Sequence, residues 1–173
     1  MRMLSRSFDK VEIMFLKLSQ LSILAMMVLT ALDASSRYIF DKPIMGAYEI
    51  TERYLMIILV FLSMSYVQKV DGHIRLDILF EKFSQRLQDA LNIFYFLLAA
   101  LLMAFIGYEG AISTYNAIAN NLQLSGLINF PLWLSYIWIP LGSFLITIRL
   151  LITIIRLAAN LNKTKEVDKE VSR

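Results

Sequence analysis

The chain has 173 residues, of which 58% are hydrophobic and 18% charged, with a formal net charge of +3. Soluble domains run near ~45–50% apolar and about 25% charged, so one soluble core of this length is excluded, and the aliphatic and aromatic content excludes disorder. With no cysteine and one histidine, His73, a disulfide framework, a thiol nucleophile, a bis-histidine haem and a His-x-x-x-His zinc site are excluded as well.

Stretches without charge organise the rest. A bilayer-crossing helix needs roughly 20 mostly apolar residues. Leu18 to Leu32 is the first such stretch, but it is only 15 residues long. At 1.5 Å per residue it covers about 22 Å, less than the ~30 Å hydrocarbon core. Its flank, Ile13 to Leu16, must enter the membrane, with Lys17 snorkelling to the headgroups. The spacing predicts a first span over about 12–36. It reads as a retained signal anchor, because the apolar segment is too long for a cleaved signal and lacks a small-x-small cleavage site.

Arg37 and Lys42 follow, with turn chemistry at Pro43 and Gly46. The second charge-free stretch, Tyr54 to Gln68, again falls short of a full span. It recruits Tyr48 and Ile50, predicting a helix over about 49–69. That brings Glu49, Glu52 and Arg53 to the membrane boundary. Glu49 and Arg53 are spaced i, i+4, a favourable order for a helical ion pair. Arg37 is expected to pair with Glu49 or Glu52 across the short outer loop, as a clamp between the first two spans or as a contact for a partner.

The next loop carries an i, i+3, i+4 apolar stripe from Leu76 through Leu79, Phe80, Phe83 and Leu87. It reads as an amphipathic interfacial segment leading into the next span. The third span is expected over about 88–115 and the fourth over about 131–157, separated by the polar but uncharged punctuation Asn120-Asn121, Gly126 and Pro131. Pro140 should kink the fourth. Glu109 is expected near the outer interface. Tyr48, Tyr54, Trp133, Tyr136 and Trp138 fit an aromatic belt.

Lysine and arginine crowd the amino-terminal segment (Arg2, Arg6, Lys10, Lys17), the loop between spans two and three (Lys69, Arg75, Lys82, Arg86) and the tail after Arg156. The other two loops have few or none. By the positive-inside bias both termini are cytoplasmic. The expected architecture is therefore all-α: one four-helix membrane domain over 1–161 and a polar cytoplasmic tail over 162–173, frayed or disordered.

Little in the sequence invites chemistry. No nucleophile and base stand together, no glycine-rich phosphate loop occurs and no metal-ligand spacing appears. No catalytic residue, metal, cofactor or nucleic-acid partner is expected, and the spans look almost free of charge. Such a chain has ample surface for lipid and for another protein, and almost nothing with which to bind a substrate.

Several motifs together resemble a known family. These are Ser36-Arg37-Tyr38-Ile39-Phe40-Asp41-Lys42-Pro43, then Glu49 with Arg53, then Gly72-His73-Ile74-Arg75-Leu76-Asp77-Ile78-Leu79. Phe130-Pro131-Leu132-Trp133 and Ile139-Pro140-Leu141-Gly142 complete the set. Their order and spacing are similar to the small membrane subunit (DctQ-like) of tripartite ATP-independent periplasmic (TRAP) transporters. Two departures stand out: Ser63 where family members often have glycine in the second span, and Asp71 before Gly72.

The resemblance implies a bacterial inner-membrane subunit that braces a large permease subunit. Uptake would be sodium-coupled, of an organic acid such as sialic acid or a C4-dicarboxylate delivered by a periplasmic binding protein. It implies that Arg37, Tyr38, Lys42, Glu49, Glu52 and Arg53 shape the outer face, and that His73, Arg75 and Asp77 organise a cytoplasmic turn. Two rival readings remain. One is an independent four-helix transporter acting as a homodimer, disfavoured by the lack of a carboxylate between Glu12 and Asp33. The other is an anchor subunit of an unrelated membrane enzyme.

Overall fold

The computed structural model describes residues 2–70, 85–123 and 129–171, with the side chains of 8–70, 87–88, 90–123 and 129–158. The helices in chain order are α1 (Arg2–Phe40), α2 (Ala47–Ile50), a π-helical turn (Thr51–Leu55), α3 (Met56–Lys69), α4 (Gln85–Ala119), α5 (Trp133–Tyr136) and α6 (Trp138–Val171). Four segments are long and apolar enough to cross a membrane: Phe8–Phe40, Ala47–Lys69, Ala90–Ala119 and Trp133–Ala158. The expected all-α architecture with four spans is what the chain adopts.

The helices overrun the expected bounds. α1 has 39 residues and α4 has 35, about 58 and 52 Å at 1.5 Å per residue, well beyond the ~30 Å hydrocarbon core. Charge marks where a helix leaves the hydrocarbon, but it does not end the helix. Terminators do that. α1 stops at Asp41, which takes a left-handed φ of 52°, and Pro43 follows, as is common just past a helix end. α4 ends in a Schellman motif: the Leu122 amide bonds to the Ala117 carbonyl at 3.0 Å and the Asn121 amide to Ile118 at 3.2 Å. Asn121 carries the left-handed φ of 46° that this cap requires.

α6 runs on into the polar tail as far as Val171. The interruption expected from Pro140 lies slightly upstream. Proline has no N–H to offer the carbonyl four residues before it, which is Tyr136. The helix breaks there, at Ile137, between α5 and α6, and Pro140 sits in the first turn of α6.

Across the molecule the helices stand in the order α1, α3, α6, α4, each packed on the next. Between α4 and α6, Phe96 and Ala100 close on Ile146 and Leu150. Small residues set the other seams. Ser19, Ser22 and Ser65 are buried where α1 meets α3. Gly142 of α6 lies against the backbone of Phe61 in α3. Ser63, which stands where the family often has glycine, is only partly buried and donates to the Val60 carbonyl of its own helix. The close contact is made by Ser65 and Gly142 instead.

The π turn also has a role in packing. Its wider winding breaks the i, i+4 ladder and frees carbonyls. Ser22 of α1 donates to the Leu55 carbonyl at 2.6 Å, and Ser135 of α5 donates to the Arg53 carbonyl. In a membrane such backbone groups have no water to turn to, so the two serines tie the turn to both neighbours.

Candidate functional site

At the end of the bundle that holds the start of α1, the spans are not free of charge. Asp9 and Glu12 of α1, Lys69 of α3 and Arg149 of α6 meet in one cluster, with Ser65 of α3 completing it. This overturns the expectation that the spans carry almost no charge. Glu12 has no exposed surface and Arg149 is 4% exposed, so nearly all of their hydration is lost and partners must replace it.

The replacement is complete on both carboxylate oxygens of Glu12. Oε1 accepts from Ser65 Oγ at 2.5 Å and from Arg149 Nε at 2.7 Å. Oε2 accepts from Arg149 Nη2, making a two-pronged pair, the geometry that the planar guanidinium favours. Arg149 Nη2 also donates to Asp9 Oδ1 at 2.8 Å, and Lys69 Nζ reaches the same oxygen at 2.9 Å. The Phe8 ring centroid lies 5.0 Å from the Arg149 guanidinium carbon, within cation–π range. Two negative and two positive groups cancel.

This balance decides what the cluster can do. A cation site needs free oxygen ligands and negative charge in excess, and a proton relay needs a group that can change charge at low cost. Here the carboxylate oxygens already hold donors and the net charge is zero. Among the described residues no group of three or more His, Asp or Glu could hold a metal. The arrangement ties α1, α3 and α6 together.

Sequence reading missed this cluster, although a signal was present. Arg149 is followed by Leu150 to Ile155, all uncharged. A lone arginine embedded in apolar sequence on both sides needs an acid, and Asp9 and Glu12 are acids at the matching end of α1.

At the opposite end the expected outer-face residues are dispersed. Arg37, Tyr38, Lys42, Glu52 and Arg53 are exposed and Glu49 is half-buried. Arg37 pairs with Asp33 of its own helix at 2.7 Å, where a contact across the loop to Glu49 or Glu52 was expected. Asp33 closes the loop by accepting from the Ile44 amide at 2.8 Å, and Ser36 Oγ donates to the Lys42 carbonyl at 2.8 Å. Arg53 lies in the π turn, so its spacing from Glu49 is not that of an α-helical i, i+4 pair. Tyr54 Oη donates to the Pro131 carbonyl at 3.1 Å and its ring meets Phe130 edge-on, which pins the loop after α4. Glu109 is exposed on α4. His73, Arg75, Asp77 and most of the amphipathic segment lie outside the described residues.

Residues 26–160 match the family model of the DctQ component of tripartite ATP-independent periplasmic transporters. The chain belongs to this DctQ family. The ectoine TRAP transporter small permease protein TeaB of Halomonas elongata is 26% identical over 136 residues, covering 79% of this chain and 69% of that protein. The chain is therefore a TRAP small permease subunit and not an enzyme, a multi-pass protein of the inner membrane. The matched DctQ stretch takes in Ser65, Lys69 and Arg149 and begins after Asp9 and Glu12.

Proposed function

We propose that this DctQ subunit is a static scaffold. It braces a large permease subunit, which itself binds the solute and the sodium ions that drive uptake, while a periplasmic binding protein delivers the solute. The observation that supports this reading is the neutral, fully partnered cluster around Glu12 and Arg149. Such a cluster holds helices in place and offers nothing for an ion or solute to bind. Both termini face the cytoplasm in this reading, in line with the excess of lysine and arginine in the segments at that end. The exposed charges Arg37, Lys42, Glu52 and Arg53 are then on the periplasmic side, where the loaded binding protein arrives.

The homodimeric transporter reading is weaker, though for a different reason than the sequence suggested. A buried acid does exist at the end of the first span, Glu12, but Arg149 and Ser65 occupy it. The solute is a separate matter. The family resemblance suggests sialic acid or a C4-dicarboxylate, while the relative's name specifies ectoine.

The test is co-expression with the large permease, purification in mild detergent and reconstitution with the binding protein. The reading expects co-elution of the two membrane chains. It expects uptake that needs a sodium gradient and stops when this subunit is omitted, assayed in turn with sialic acid, succinate and ectoine. A stable homodimer that transports alone contradicts it.

A further inference from the structure

The row of helices has two free edges, α1 and α4, and they differ in chemistry. On α4 the exposed positions Leu97, Leu98, Leu101, Leu102 and Phe105 are all apolar, the surface that lipid tails accept. On α1 the exposed stripe facing away from α3 runs through Ile13, Lys17, Gln20, Leu24 and Val28. It is the opposite side from Glu12, Ser19 and Ser22, which turn inward.

The depth of Gln20 is the telling point. Glu12 and Asp33 bracket the membrane part of α1, about 31 Å apart at 1.5 Å per residue. Gln20 stands eight residues beyond Glu12, about 12 Å inside that bracket. Side chains lean toward the helix amino terminus, so Lys17 can snorkel toward the headgroups. The shorter glutamine, one turn deeper, cannot follow. Among the described residues neither Lys17 nor Gln20 has a hydrogen-bond or ion-pair partner. An amide turned to hydrocarbon with its donors unmet is costly, so this face needs polar cover that lipid tails do not supply.

We propose that the outward face of α1, centred on Lys17 and Gln20, is the seam to the large permease subunit. The facing helix presents oxygen acceptors at that depth, a carboxylate for Lys17 and a carbonyl or carboxylate for Gln20. The α4 edge faces lipid. This rests on the reading of the chain as a permease subunit and adds which of its edges is covered and by what chemistry.

The absence of native cysteine makes a direct test possible. Single cysteines at Ile13, Leu24, Leu98 and Phe105 carry a benzophenone maleimide in membranes that also contain the large permease. The complex is confirmed intact by co-purification before irradiation. The proposal expects adducts with the large permease from Ile13→Cys and Leu24→Cys and none from Leu98→Cys and Phe105→Cys. Adducts from the α4 positions alone overturn the choice of face while the subunit reading stands. An adduct at twice the chain mass from Leu24→Cys assigns the face to a second copy, and lipid adducts alone assign it to the bilayer; either overturns the proposal. Failure to co-purify counts against the subunit reading itself.

Discussion

Replacing Arg149 by alanine destabilises the folded subunit by about 3–5 kcal/mol, the cost of breaking a buried ion pair from one side. The substitution leaves Glu12 with no exposed surface and only the Ser65 hydroxyl and the distant Lys69 ammonium, 3.9 Å from Oε2, to support its charge. Asp9 keeps Lys69 at 2.9 Å. Glu12→Leu is damaging for the mirror reason, since Arg149 then retains only Asp9 and the face of the Phe8 ring. The double variant Glu12→Leu with Arg149→Met removes one charge of each sign and leaves Asp9 and Lys69 as a neutral pair. It recovers most of the loss, because well-packed apolar replacements of buried ion pairs are often neutral or better. Thermal midpoints of the detergent-purified subunit check this. A double variant whose loss is the sum of the two single losses would show that the charges act independently.

The second large effect is at Gly142. A Cβ added there meets the Phe61 carbonyl carbon at 2.6 Å and the Phe61 Cβ at 2.7 Å. These are main-chain and near-main-chain atoms of α3, which cannot rotate away, so α3 and α6 must separate. Overpacking of this kind costs about 1–3 kcal/mol for one added methyl. The position also matters for the charge cluster. Arg149 lies seven residues further along, two turns down the same face of α6, so a wedge at Gly142 lifts Arg149 away from Glu12. Gly142→Ala is therefore expected to lower the thermal midpoint of the subunit and Gly142→Leu to abolish its monodisperse elution. Gly107→Ala is the control: its nearest neighbour is the Ser143 Cβ at 3.1 Å, a small side chain that yields by a few tenths of an ångström. If Gly142→Ala melts with the wild type, the α3–α6 contact is looser than described.

These two sites mark where sequence reading succeeds and where it stops. Runs without charge located all four spans, because the cost of charge in hydrocarbon is a local property of each segment. Helix ends were less legible: the Asp41 and Asn121 left-handed caps lie past the expected span ends at about 36 and 115, because apolar and polar residues alike continue a helix until a terminator stops it. The Gly142 motif was visible as sequence, but its purpose depends on Phe61, which is far away along the chain. The Glu12–Arg149 pair joins positions 137 residues apart, and no periodicity or spacing reports such a contact. Arg37 taught the opposite lesson. A partner was sought across the loop, whereas Asp33 stood one helical turn back in the same helix, the shorter reach and the i, i+4 spacing that helices favour. The π turn at Thr51–Leu55 has no signature in residue type at all; it is recognised only by the serines that bind its freed carbonyls.

The central claim is that this subunit braces without moving, and a covalent lock tests it most directly. Gly107 of α4 and Ser143 of α6 face each other, with an ideal Gly107 Cβ 3.1 Å from that of Ser143, so a shift of a few tenths of an ångström brings the pair to the ~3.5–4.5 Å Cβ separation of a disulfide. The pair Gly107→Cys with Ser143→Cys is introduced into the otherwise cysteine-free subunit and the whole transporter is reconstituted. Solute uptake is then measured before oxidation, after it, and again after reduction. A static scaffold predicts the same uptake rate in all three states. Loss of uptake on oxidation and its return on reduction would show that α4 and α6 move during transport, and that the subunit is part of the moving machinery.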